Sequence, residues 1–107
     1  MYTVVYLPTT KQDMVEIAKY IRTVLKNPQA AFTLVEQIIR SIDELGTFPY
    51  SCPMYYPRRR LEHDYRKLLV NNYMVFYWVE EGEKTVTVAR VLYAKRSFEH
   101  LLAGLDS

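Results

Sequence analysis

The stretch from Tyr65 to Arg96, YRKLLVNNYMVFYWVEEGEKTVTVARVLYAKR, leaves little choice of local structure. It is dense in β-branched and aromatic residues, which favour strands. It is cut twice by turn formers, at Asn71-Asn72 and at Glu80-Glu81-Gly82-Glu83. Asn and Gly tolerate the positive φ of tight hairpins. The pattern predicts three consecutive antiparallel strands over residues 65–70, 73–79 and 85–93. Such a sheet, threaded with Arg66, Lys67, Arg90, Lys95 and Arg96, predicts a platform for a polyanion or an acidic peptide.

The middle strand, Tyr73-Met74-Val75-Phe76-Tyr77-Trp78-Val79, is apolar on both parities, so it belongs in the centre with both faces covered or used. The cover for one face lies upstream. Residues 2–6 read as a short strand that Pro8 ends. Thr9 with Gln12 three positions later has the spacing of a capping box, and predicts a helix start. Met14, Ile17, Ala18, Ile21 and Leu25 then recur at helical spacing. Asn27-Pro28 stops that helix and caps a second, whose stripe runs through Ala31, Leu34, Val35, Ile38, Ile42 and Leu45. Gly46 is the expected C-terminal cap. Two amphipathic helices joined so tightly must fold back on each other.

Residues 47–64 hold three prolines and no sustained period, and read as a connecting loop. Arg96 to Leu102 reads as a short tail with a helical turn or two. The whole, 1–107, is expected to be one α+β domain of order β-α-α-β-β-β. A helical hairpin packs on one face of a small twisted antiparallel sheet.

Other features exclude classes. No stretch approaches the run of ~20 apolar residues that spans a membrane, and the N-terminus lacks the pattern of a signal peptide, so a cytoplasmic protein is expected. Cys52 is the single cysteine, and His63 and His100 stand far from each other, so neither a disulfide nor a metal site is predicted, and no cofactor. Net charge is +2, but residues 58–107 carry nine Lys/Arg against seven Asp/Glu, three of them in the Glu80–Glu83 turn. The sheet is therefore more basic than the total, a weak bias towards nucleic acid or an acidic partner.

In order along the chain, Ile17–Ile21, Asn27–Ala31, Leu45 with Phe48-Pro49, Tyr65-Arg66-Lys67, Tyr73 with Phe76-Tyr77, and Arg90-Val91-Leu92-Tyr93 with Lys95-Arg96 form a set that resembles toxins of the RelE/ParE superfamily of bacterial type II toxin–antitoxin modules. The resemblance implies a growth inhibitor neutralised by a cognate antitoxin with an acidic, amphipathic C-terminal segment. It implies operator DNA binding only through that antitoxin. Members act either on DNA gyrase or, as nucleases, on mRNA in the ribosome.

For the nuclease branch the candidate catalytic residues are Lys67, Arg90, Tyr93 and Arg96. Arg58, Arg59, Arg60, Arg66 and Lys95 are candidate nucleic-acid contacts. Cleavage needs the 2′-hydroxyl deprotonated, the phosphate stabilised and the leaving oxygen protonated. The pattern departs from that branch at Met74, where its members place an arginine, and at the C-terminus, where their closing tyrosine falls near Leu102. The departures favour the ParE-like gyrase inhibitor, with the nuclease and a non-toxic co-repressor left open.

Each candidate has a plainer alternative. Arg90 shares parity with Val86, Val88 and Leu92, so it either serves the site or lies partly buried against an acid such as Glu36 or Asp43. Arg66 and Lys67 point to opposite faces. Arg58-Arg59-Arg60 is either a solvated run or, beside Tyr55-Tyr56, a basic–aromatic contact. Tyr77 and Trp78 read as core. Cys52 has no base near it in sequence, His63 is a lone loop histidine, and His100 reads as surface.

Overall fold

The computed structural model describes residues 1–96 and 98–106; Ser97, within the expected tail, and Ser107 lie outside them. The elements run β1 (Thr3–Tyr6), α1 (Pro8–Thr23), α2 (Pro28–Asp43), a 3-10 turn (Glu44–Gly46), β2 (Arg66–Val70), β3 (Tyr73–Glu80), β4 (Thr85–Tyr93), α3 (Glu99–Ala103) and a closing 3-10 turn (Gly104–Asp106). This is the expected α+β fold, with the three-stranded meander and helical hairpin in place. The sheet order is β1-β4-β3-β2, and β1 joins β4 in parallel, so the sheet is mixed rather than wholly antiparallel. The connection from β1 through the helices returns the chain to the far side of the meander, where a parallel neighbour is the geometry left.

The helix boundaries follow local chemistry, with two corrections. Asn27 caps α2, its Oδ1 accepting from Ala30 N–H at 3.0 Å with Pro28 following. At α1 no side chain caps the start. Thr9 and Thr10 instead donate their hydroxyls to the carbonyls of Ala89 and Val88, each at 2.8 Å, and Gln12 reaches forward to Glu16. β4 runs past the end of β1, and the helix hydroxyls satisfy its backbone there. Gly46 is no left-handed cap either, since no glycine has positive φ. It is small because the chain is close: a Cβ there would meet Tyr2 O at 3.1 Å.

The turns behave similarly. Asn71 takes φ 52°, as its type allows. In the β3–β4 turn the positive φ falls on Lys84 (51°), not on Gly82.

Two cores flank the sheet. The helix-side core buries Ile21, Ala31, Leu34, Ile38 and Ile42 against Val75, Tyr77, Val86, Val88 and Val91. Complete burial of side chains such as Ile38 stabilises by about 1.5–3 kcal/mol each. On the opposite face Phe76, Ala89 and Leu92 meet Tyr65 and Leu61 from the loop and Leu102 from α3. The both-parity apolarity of β3 is explained by this second cover. The loop also lines the outer side of β2: Met54 bridges to Arg66, Tyr55 N–H donates to Tyr65 O, and Lys67 N–H donates to Pro53 O.

Candidate functional site

The sheet deals its cations to different places. Arg66 lies on the helix-side face, where it donates to Cys52 O at 2.8 Å and its guanidinium sits 4.9 Å over the Tyr50 ring. Its neighbour Lys67 points the other way, in register with Phe76. Phe76 is in turn in register with Arg90, so Lys67 and Arg90 belong to one cross-strand row, two strand spacings or ~10 Å apart along the backbone.

Arg90 is fully engaged. Its Nε and Nη2 each donate to the Asp13 carboxylate at 2.7 Å, and Asp13 Oδ2 also accepts from Val91 N–H at 3.0 Å. Both side chains are largely buried, at 17% and 13% exposure. The partner is thus Asp13, and neither Glu36 nor Asp43. The register of β3 against β4 shifts between Phe76 and Tyr77, placing Ala89 as an extra residue. That bulge breaks the parity linking Arg90 to Val86 and Val88 and turns the guanidinium towards α1.

Tyr93 pairs in register with Tyr73, and their rings meet edge-on at 5.9 Å on the helix side. It therefore lies on the opposite face from Lys67. Lys95 and Arg96 follow in an exposed turn, with Arg96 N–H donating to Tyr93 O. Met74 is packed against the far-face core. The structure does not gather Lys67, Arg90, Tyr93 and Arg96 around one point.

The arginine triplet lies in the loop from Met54 to Asp64, which encloses a shallow hollow of about 210 Å3. Arg58, Arg59 and Arg60 are exposed. His63 stacks flat on Trp78, centroids 3.7 Å apart, so the loop histidine is held as an aromatic plate. Tyr77 is core, its buried hydroxyl donating to Pro49 O at 2.8 Å, and burial raises its pKa. Cys52 is half-buried beside Ser51, and His100 is exposed.

A polar cluster that the sequence does not announce sits at the β3–β4 turn. Glu81 accepts from the hydroxyls of Tyr2 and Tyr50 and from Lys84 Nζ, at 2.5–2.8 Å. Those donors hold its carboxyl down at about 2, and the Glu81 bond pushes Tyr50 up to about 12. Asp13 was equally unannounced, though its position between Thr10 and Ile17 on the inward arc of α1 is a usable signal. Among the described residues no group of three or more His, Cys, Asp or Glu is placed to hold a metal ion. Among the same residues no helix is long and apolar enough to cross a membrane.

Residues 4–98 match the family described as ParE toxin of type II toxin-antitoxin system, parDE. No curated protein sequence matches the chain. Among solved structures the chain resembles the chromosomal ParDE system of P. aeruginosa (TM-score 0.72, 15% identity, 89% of this chain and 98% of that one). It also resembles the archaeal RelE–RelB complex of Pyrococcus horikoshii (0.60, 14%, 90% and 98%). The isolated RelE toxin of E. coli aligns at 0.60 with 16% identity, over 98% and 96%. At such identities these likenesses speak for the fold.

Proposed function

This chain belongs to the ParE toxin family of type II toxin–antitoxin systems, and from that premise we propose that it arrests growth by inhibiting DNA gyrase and is held inactive by a cognate antitoxin. The observation that carries gyrase over mRNA cleavage is the dispersal of the candidate catalytic groups. In-line cleavage needs a base, an acid and a phosphate clamp converging on one phosphate. Here Arg90 is committed to Asp13, Lys67 and Tyr93 leave opposite faces of the sheet, and Met74 fills an apolar position. An inhibitor that acts by binding needs a surface and no such convergence.

The antitoxin half of the reading is supported by the company the fold keeps, since the P. aeruginosa and P. horikoshii structures are described as a toxin–antitoxin system and a RelE–RelB complex. An acidic, amphipathic antitoxin segment suits a chain whose second half is net basic. Operator DNA is reached through the antitoxin, and the site of action is the cytoplasm.

Two assays test the reading. Purified chain added to purified gyrase should block supercoiling of a relaxed plasmid, and induction of the chain in bacteria should stop thymidine incorporation before methionine incorporation. A Lys67→Ala, Tyr93→Phe double variant should keep both effects. Early loss of methionine incorporation, with new mRNA ends that vanish in the double variant, would establish the nuclease instead.

A further inference from the structure

The side of the helical hairpin that faces away from the sheet carries apolar residues that neither core uses. On α2 a second stripe, Phe32, Val35 and Ile39, lies one residue on from the buried Ala31, Leu34 and Ile38, and is therefore turned by ~100° from it. On α1, Val15 and Ala18 border the same groove at helical spacing. Val15 is 60% exposed, Phe32 64% and Ile39 40%. The two helices share one seam, since Met14 of α1 and Ile39 of α2 line a common hollow of about 420 Å3 together with Tyr6.

The lips of the seam differ in charge. Lys11, Lys19 and Arg22 follow α1, all exposed, and Asp43 closes the α2 lip. Between these, Glu36 is held by Arg40 of its own helix at 3.1 Å, and Glu16 accepts from Gln12 at 2.8 Å. Lys11 and Asp43 border the hollow from opposite helices, yet neither forms an ion pair among the described residues.

We propose that this seam is the face through which two copies of the chain pair, about a two-fold axis parallel to the helices. Such an axis lays α1 of each copy on α2 of the other, and completes a four-helix bundle whose neighbours are all antiparallel. Within one copy α1 and α2 are matched at Met14 and Ile39, so the axis brings equal heights face to face. Lys11 then meets the partner's Asp43, Val15 the partner's Ile39, and Arg22 the partner's Phe32. A second copy supplies the opposite sign to each lip. An acidic antitoxin segment suits the α1 lip alone and is opposed by the unpaired Asp43 on the other. Two helices of 16 residues present a face ~24 Å long and ~20 Å wide. That covers about 1,000 Å2 over both copies, the lower limit of a specific interface, so the dimer dissociates in the micromolar range. The inference goes beyond the gyrase reading and stands apart from it.

Sedimentation equilibrium of the full chain, from about 1 to about 500 μM, should show the mass rise from 12.7 kDa towards twice that value. Val15→Glu and Phe32→Glu change exposed side chains to a good helix former and should leave the circular dichroism unaltered. Each is expected to raise the dissociation constant about tenfold or more. Lys11→Glu and Asp43→Lys each set like charges across the seam, and each should weaken its own dimer. Mixed, the two chains regain opposite charges at both contacts, and should associate about tenfold more tightly than either alone. A chain that stays monomeric throughout overturns the proposal, and loss of antitoxin affinity in Val15→Glu and Phe32→Glu would then give the face to the antitoxin. A dimer untouched by those two variants also overturns it, as does a mixture no tighter than its components. None of these readouts involves gyrase, so the two readings fail separately.

Discussion

Asp13 holds Arg90 with both carboxylate oxygens and at the same time accepts the amide of Val91, so a single side chain of α1 satisfies three donors on β4. The contact is the bolt between the helical hairpin and the strand that carries the bulge. It converts a residue with a nuclease-like address into a structural one.

Asp13→Ala leaves a largely buried guanidinium and an amide without their acceptor. The expected cost is about 3 kcal/mol, the order found when one member of a buried pair is removed. Urea denaturation monitored by circular dichroism gives the value. A cost like that of an exposed substitution, within about 0.5 kcal/mol, would show that the pair does not fasten the helix.

Acid should reveal Glu81. Its carboxyl is held at about 2, below the ordinary 4.5, by bonds to Lys84, Tyr2 and Tyr50. A depressed acid contributes stability that is full above pH 4.5 and is lost as pH falls towards 2. Glu81→Gln should therefore flatten the acid limb of the stability curve in that window. A limb of unchanged slope would mean the cluster does not survive in solution.

The alkaline side carries the opposite sign. Tyr6 is raised to about 12, first by burial and then by Asp43, and Tyr50 is raised to about 12 by Glu81. A raised phenol stabilises the fold fully below pH 10, and that contribution is lost as pH climbs from 10 to 12. Ultraviolet phenolate titration should show at least two tyrosines ionising late, and Tyr6→Phe should remove one of them.

Leu102 is wholly buried in the core beneath α3. Leu102→Ala is expected to destabilise by about 2–5 kcal/mol, and to expose hydrophobic dye-binding surface on the far face before the helix side gives way. Loss of both faces in one cooperative step, at unchanged midpoint, would refute a supporting role for α3.

Gly46→Ala places a methyl group 3.1 Å from Tyr2 O. The neighbour is backbone and must shift, so a loss of about 1 kcal/mol is expected, with Gly46→Val worse. Calorimetry of the three chains checks the order.

Much of the fold is legible because its signals are local. Asn27-Pro28 and Asn71 each dictate a backbone conformation within a few residues, and the stripes on α1 and α2 report burial at fixed spacing. What escapes is set by partners distant in sequence. Thr9 and Thr10 spend their hydroxyls on β4 carbonyls some eighty residues away, so a capping motif misleads. The bulge at Ala89 shows no glycine or proline, and so the side on which Arg90 emerges cannot be counted from parity. The candidate site suffers most, since a one-residue shift decides which face a cation serves.

The strapping of β2 by residues 53–55 sets a limit on assembly. Among the described residues, the one backbone hydrogen bond beyond the outer side of β1 is that of Tyr2 N–H to Gly46 O, just ahead of the strand. The strap holds the start of β2, as far as Lys67, and stops short of Leu68–Val70. A further strand, or a second copy of the chain, is therefore kept from the first residues of β2 and has to pair elsewhere along the edges of the sheet.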